Sequence, residues 1–233
     1  YGSDNILFDI PRYCYDKNIE CYPGCWIDNV VWDGAQITNL INIGKQGYPT
    51  TKGLIVGNEF LYRHPGMEST LINNIENVKA QTGLPTTAAE QWHIYRDYTN
   101  LGNHVDFIMI HIHPYWENQN ITNAAQFVIN KYNFIKQKYP GKPIVIGETG
   151  WPTAGAIRGE AIPSTNNQEG FIRDLNELAK RNNIDYFLFE GFDEMWKSKY
   201  GFVEANWGVF DKNREIKNGL AKILSENTFI KSF

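Results

Sequence analysis

Six short apolar runs separated by amphipathic stretches constrain the fold of this chain more than any other feature. They cover residues 19–28, 53–59, 84–92, 105–116, 143–151 and 184–194. Each is almost continuously apolar and rich in β-branched residues, as in strands covered on both faces. Their first apolar residues stand at 19, 54, 85, 106, 144 and 185, so the intervals are 35, 31, 21, 38 and 41 residues. Intervals of that length leave room for a crossover helix and predict a parallel sheet. Helical periodicity appears at 123–138, at 167–182 and at 214–225; Phe171, Ile172, Leu175, Leu178 and Ala179 mark the apolar stripe of the second. Turn signals such as Thr82-Gly83-Leu84-Pro85 and Tyr139-Pro140-Gly141 lead back into the strands.

The ends of these runs decide between two α/β architectures. Each closes on polar or aromatic residues: Trp26-Ile27-Asp28, Asn58-Glu59, Glu90-Gln91-Trp92, His113-Pro114-Tyr115, Glu148-Thr149 and the stretch from Glu190 to Glu194. A (β/α)8 barrel gathers its chemistry at the C-terminal ends of many strands. A doubly wound sheet concentrates it at one crevice, commonly with a glycine-rich phosphate loop, and the sequence has no such loop. The expected fold is therefore an α/β (β/α)8 TIM barrel in a single domain, 1–233. Six runs and a strand stub at Tyr1-Gly2 fall short of eight. The expectation is that the first βα unit and most of strand two are absent from the chain, leaving an N-terminally incomplete barrel.

Composition narrows the function. A net charge of -4 without a basic run argues against a nucleic-acid partner. No stretch approaches the ~20 apolar residues of a membrane span. Aromatics make up 14% of the chain, which suits a protein that stacks sugar rings, although large barrels bury many aromatics anyway. The three cysteines, Cys14, Cys21 and Cys25, leave at least one thiol without a partner in this chain. Cys21 and Cys25 share a face of the predicted first strand, where a disulfide along the strand is geometrically poor. No histidine is spaced to complete a zinc site with them. Asn120-Ile121-Thr122 is a glycosylation sequon, a triplet that also arises often by chance.

Glu59 ends the run Leu54-Ile55-Val56-Gly57-Asn58, and Glu148 follows Ile144-Val145-Ile146-Gly147 in the same way. Two carboxylates at strand ends of one barrel are what double displacement on a glycoside requires: one gives a proton to the leaving oxygen, the other attacks the anomeric carbon. For retention the pair should stand about 5–5.5 Å apart. Mutual repulsion would then keep one carboxyl protonated at about pH 6. A single strand-end glutamate is more often solvated or ion-paired, but two in matching apolar runs weaken that alternative.

Val56-Gly57-Asn58-Glu59 and Gly147-Glu148-Thr149-Gly150-Trp151-Pro152 closely resemble the two signature motifs of glycoside hydrolase family 17, the β-1,3-glucanases and their glucanosyltransferase relatives. The resemblance continues through Pro85-Thr86-Thr87-Ala88, Ile112-His113-Pro114-Tyr115, Phe189-Glu190-Gly191-Phe192-Asp193-Glu194-Met195-Trp196-Lys197 and Trp207-Gly208-Val209-Phe210. The Phe-Asp-Glu-x-Trp-Lys form looks like the fungal branch, and Tyr1-Gly2-Ser3-Asp4 like the end of the family's second strand. The resemblance implies Glu59 as proton donor after strand four and Glu148 as nucleophile after strand seven. It implies a secreted, cell-wall enzyme acting on β-1,3-glucan by glycosyl transfer with some hydrolysis. A hydrolytic endo-β-1,3-glucanase is the alternative, and a non-catalytic glucan-binding wall protein the distant one. Two carboxylates suffice for the chemistry, so no metal or other cofactor is expected; a monomer is.

The remaining candidates are substrate contacts. Asn58 suits a hydrogen bond to the sugar 2-hydroxyl, or a cap on the following turn. His113 is expected near the nucleophile, with His111 structural. Glu90 and Trp92 end strand five; one of them should line the groove, unless Glu90 pairs with Arg63 or Arg96. Trp151 is a stacking platform or a core residue beneath the nucleophile loop. Glu190, Asp193, Glu194 and Lys197 form a charged cluster suited to hydroxyl recognition, with Lys197 beside Glu148 or Glu194. Tyr115, Trp116 and Trp196 are candidates for an acceptor platform.

Overall fold

The structure is a computed structural model that describes residues 1–217, 219–221 and 223. It contains β1 (Gly24–Cys25), β2 (Leu54–Asn58), β3 (Thr86–Gln91), β4 (Ile108–His111), β5 (Ile144–Thr149) and β6 (Tyr186–Leu188). The α-helices are α1 (Ile10–Asp16), α2 (Asp33–Lys45), α3 (Phe60–Arg63), α4 (Glu68–Thr82), α5 (Trp92–Asp97), α6 (Thr99–His104), α7 (Ile121–Lys138) and α8 (Thr165–Asn182). Within each unit, hydrogen-bonded strand neighbours follow chain order. The described residues divide into two compact units, one made of 1–110 and 135–144, the other of 111–134 and those from 145 onward.

In the first unit β1 pairs with β2 in parallel, Gly24 opposite Ile55, and β2 with β3, Leu54 opposite Thr86. The amide of Asp106 bonds Thr86 on the way into β4. All five residues of β2 are buried, which is why the run is continuously apolar. Helices α2 and α4 cover the strands with Ile37, Leu40, Ile41 and Ile43, and with Leu71, Ile72, Ile75 and Val78. At Gly44 a Cβ would stand 2.9 Å from Leu54 and 2.8 Å from Thr82, so glycine sets the close approach of α2. Gly83, at φ 67°, ends α4 in a left-handed turn, its N–H bonding the Lys79 carbonyl.

In the second unit β5 pairs with β6 in parallel, Ile146 opposite Tyr186 and Thr149 opposite Leu188, with a register shift between them. Beyond β4, the Ile112 N–H bonds the Glu148 carbonyl. Helix α8 starts on Ser164, whose hydroxyl accepts the Asn167 N–H, and buries Phe171, Ile172, Leu175 and Ala179.

All six predicted runs contain a strand, but the strands are shorter than the runs. The run 19–28 keeps only Gly24–Cys25 as strand, with Cys21 in an isolated bridge to Thr51. Cys21 and Cys25 therefore do not share one regular strand. Tyr1-Gly2 is not a strand; a single bond joins the Gly2 N–H to the Gly24 carbonyl. The predicted helices at 123–138 and 167–182 correspond to α7 and α8, each beginning two residues earlier. Of the predicted helix at 214–225, residues 214–217 are not helical, Leu220, Ala221 and Ile223 are, and 218, 222, 224 and 225 lie outside the described residues.

Candidate active site

In the first unit the chain leaves β2 through two left-handed residues, Gly57 at φ 79° and Glu59 at φ 52°. A Cβ at Gly57 would meet Ile27 at 3.0 Å and Phe60 at 3.3 Å, so glycine lets the strand end pack closely before it turns. The Glu59 N–H is held by the Ala89 carbonyl at 2.7 Å, and its carbonyl accepts the Arg63 N–H as α3 begins. Positive φ at a non-glycine residue is uncommon and recurs at functional sites. The Glu59 carboxylate accepts a hydrogen bond from Gln91 Nε2 at the end of β3, a partner that the sequence reading missed.

Asn58 is buried, and its Oδ1 has no hydrogen-bond partner among the described residues. Helix α3 has no side-chain cap, so Asn58 does not serve as one. Glu90 does that work instead. Fully buried, it accepts the N–H groups of Leu61 at 2.7 Å and Tyr62 at 3.4 Å, two of the donors a helix start leaves open. Fully buried on these amides, Glu90 presents no open surface to a groove. Trp92 is nearly buried at the start of α5, edge-on to His93 and beneath the Arg96 guanidinium.

In the second unit Glu148 lies one residue before the end of β5, its side chain 14% exposed. His113 Nε2 stands 3.4 Å from its Oε2, and His111 Nδ1 stands 3.6 Å from the same oxygen. Burial pushes the Glu148 carboxyl upward; the two imidazoles outweigh it, and the net shift is below the ordinary carboxylate value. His111, expected as structural, thus belongs to the surroundings of Glu148. Its spacing of two from His113 was the available signal, since such residues share a strand face.

Around His113 pack Phe189 and Trp207, with centroids at 5.3 and 5.4 Å. Trp207 also meets Tyr115, and both are buried, with the Tyr115 hydroxyl bonded to the Ala156 carbonyl. Trp151 is fully buried against Phe171, its Nε1 bonded to the Ile162 carbonyl. Trp151 thus takes the second of its two expected places, in the core, while Tyr115, expected on an acceptor platform, is buried as well and offers no open ring face. Trp116 is partly exposed over Trp207, and Trp196 is 58% exposed.

The charged cluster after β6 separates into two sets. Lys197 bridges Glu190 and Glu194 at 2.5 and 2.6 Å, rather than reaching Glu148 as one reading allowed. Burial raises the Glu190 carboxyl to about 7 despite Lys197. At Glu194 burial opposes ionisation, but Lys197 prevails and the shift is downward. Asp193 faces elsewhere, taking Lys217 Nζ at 2.8 Å and the Gly208 N–H at 2.9 Å. These two contacts tie the loop after β6 to Gly208 and Lys217. No group of three His, Cys, Asp or Glu that could hold a metal ion occurs among the described residues, and no described helix is long and apolar enough to cross a membrane.

The BtgE/BtgC glycoside hydrolase domain matches residues 1–208. The crystal structure of a glycoside hydrolase family 17 β-1,3-glucanosyltransferase from Rhizomucor miehei superposes with a TM-score of 0.81 at 32% identity, over 90% of this chain and 79% of that one. An active-site mutant of the same enzyme in complex with laminaritriose matches equally well, at 31% identity over the same shares. The btgC protein of Aspergillus niger is 30% identical over 257 residues, which take in 94% of this chain but 37% of that protein. The chain therefore spans little more than a third of that relative's length. With its two glutamate motifs on β2 and β5 and this match over most of its length, the chain belongs to glycoside hydrolase family 17, in the BtgE/BtgC branch.

Proposed function

We propose that the chain cleaves β-1,3-glucan with retention, Glu59 acting as acid/base and Glu148 as nucleophile. The observation that carries the assignment is Glu148 at the end of β5, held below its ordinary pKa by two imidazoles. A nucleophile must be ionised before the substrate arrives, and this surrounding keeps it so. In the first step Glu148 attacks the anomeric carbon while Glu59 protonates the departing glycosidic oxygen. In the second, Glu59 removes the proton from an incoming hydroxyl, which displaces Glu148. Asn58 Oδ1, buried and without a partner, suits the 2-hydroxyl of the sugar bound there. A non-catalytic glucan-binding role gives no reason for a carboxylate tuned in this way.

Whether the second step takes a sugar or water depends on acceptor binding. We favour transfer with some hydrolysis, because the Rhizomucor miehei relative is a glucanosyltransferase by name and because Trp116 and Trp196 keep exposed ring surface. An endo-β-1,3-glucanase is the second reading, favoured by the Aspergillus niger btgC relative, named putative glucan endo-1,3-beta-glucosidase. A secreted, wall-associated setting fits such a substrate. Mass spectrometry of products from a single laminari-oligosaccharide distinguishes the two. Transfer gives sugars longer than the starting one, in the β configuration. Shorter sugars alone, at every substrate concentration, leave the endo-glucanase.

A further inference from the structure

The structure points to a second sugar-binding position in the first unit, built by Trp26 and Asp28 and held in place by Arg63; we propose that it takes a pyranose ring of the glucan chain. Trp26 and Asp28 lie two residues apart just beyond β1, with Ile27 buried between them, so both side chains leave the same face. The Arg63 guanidinium lies 4.2 Å over the Trp26 ring and donates to three oxygens: Asp28 Oδ1 at 2.9 Å, the Ile27 carbonyl at 3.0 Å and the Asn58 carbonyl at 2.7 Å. One planar fork thereby ties the end of β1 to the turn that carries Asn58 and Glu59.

This arrangement has the two components of a sugar site. The guanidinium occupies one face of the indole and fixes its orientation, while the side chain keeps 40% exposure; an indole face takes the flat C–H surface of a glucose ring. The Asp28 carboxylate receives His64 Nε2 at 2.8 Å as well as Arg63, and both use the same oxygen, Oδ1. Oδ2 has no partner among the described residues, and the side chain is 42% exposed, so one anionic acceptor is oriented and left open to hydroxyl donors. A purely structural aspartate would not need two nitrogen partners on one oxygen with the other presented to solvent. Glucose supplies what the pair lacks: an apolar face and adjacent hydroxyls. Arg63 is a positioning residue in this scheme, touching no sugar itself.

This subsite rests on the proposed function, and binding separates the two. The full chain carrying Glu148→Ala is titrated calorimetrically with laminarihexaose. Adding Trp26→Ala should weaken binding about tenfold, and Trp26→Phe, which keeps a ring face, about threefold or less. Asp28→Asn, which keeps shape and loses charge, should weaken it about threefold. Circular dichroism melts establish that each variant is folded, and Asp28→Asn decides the matter should Trp26→Ala not fold. Unchanged affinity in Asp28→Asn and in the folded Trp26 variants overturns the subsite while leaving the glucan enzyme intact. If Glu148→Ala alone still turns over laminarihexaose, or does not bind it, the functional reading itself fails.

Discussion

His113 Nε2 and Glu148 Oε2 stand 3.4 Å apart, and the imidazole that makes this contact is packed edge-on against Trp207 and Phe189. Packing on those faces gives the ring one orientation, so the carboxylate meets a fixed partner rather than a mobile one. His111, on the same strand face, approaches the same oxygen at 3.6 Å. Burial alone would have made Glu148 a poor nucleophile by favouring its neutral form.

The pH dependence of activity should report this directly. Glu148 has its pKa lowered in the folded protein, so ionisation persists as pH falls below the ordinary carboxylate value, and activity is lost only as pH falls through the lowered one. Replacing His113 by Ala removes a hydrogen bond and an electrostatic contact that hold the Glu148 pKa down. The acid limb of the kcat/KM profile should then move to higher pH, further still with His111→Ala added. A limb that stays where it was would detach these histidines from the nucleophile.

Glu59→Ala should be nearly inactive on laminarin, whose leaving alkoxide needs a proton, with loss of about 10²–10⁴-fold. Activity should survive better on an aryl β-glucoside donor whose phenolate leaves unaided. Added azide should yield a β-glycosyl azide, detected by mass spectrometry and proton coupling constants. Equal losses on both donors without azide product would give Glu59 a different role.

Glu90→Ala should act through stability. Its carboxylate is buried on the Leu61 and Tyr62 amides, so removing it leaves buried N–H groups without an acceptor. A cost of about 2–3 kcal/mol in urea unfolding is expected, with partial recovery in Glu90→Gln. Unchanged stability with a raised KM would return Glu90 to the groove.

Glu190 should make stability fall as pH rises. Its carboxyl titrates at about 7 in the folded chain against an ordinary 4.5, so between those values the folded state keeps a proton that the unfolded state has lost. The linkage slope is then negative across that window. Glu190→Gln should flatten it and be more stable than the parent above pH 7, by up to about 3 kcal/mol. Urea midpoints measured at several pH values test this; parallel curves for the two proteins would contradict it.

Much of the architecture was legible because burial on both faces leaves a mark no other strand type leaves. Leu54–Val56 and Ile144–Ile146 are apolar without interruption, and both runs became strands. The strand ends were less legible. Residues 19–23 look like strand by composition, yet only Cys21 makes a bridge there, since pairing depends on the partner segment. The two motif glutamates stood out because each follows a buried strand through glycine, with or without Asn58. Glu90 did not stand apart from them in the sequence: its task is set by the start of α3, 29 positions away. Trp151 and Trp196 show the same gap between residue type and role, one fully buried and the other 58% exposed. His111 was set aside because a histidine in an apolar run is commonly a packing residue; only the fold of the second unit, which sets Glu148 against it, reveals its partner.

Trapping the glycosyl-enzyme tests the central claim most directly. A 2-deoxy-2-fluoro laminaribioside with a good leaving group should form the first intermediate readily and release it slowly. Incubated with the full chain, it should add the mass of one fluorinated disaccharide, and peptide mapping should place that mass on Glu148, with no adduct in Glu148→Ala. An adduct on another residue, or none while the compound is hydrolysed with inversion, would contradict the assignment of Glu148 as nucleophile.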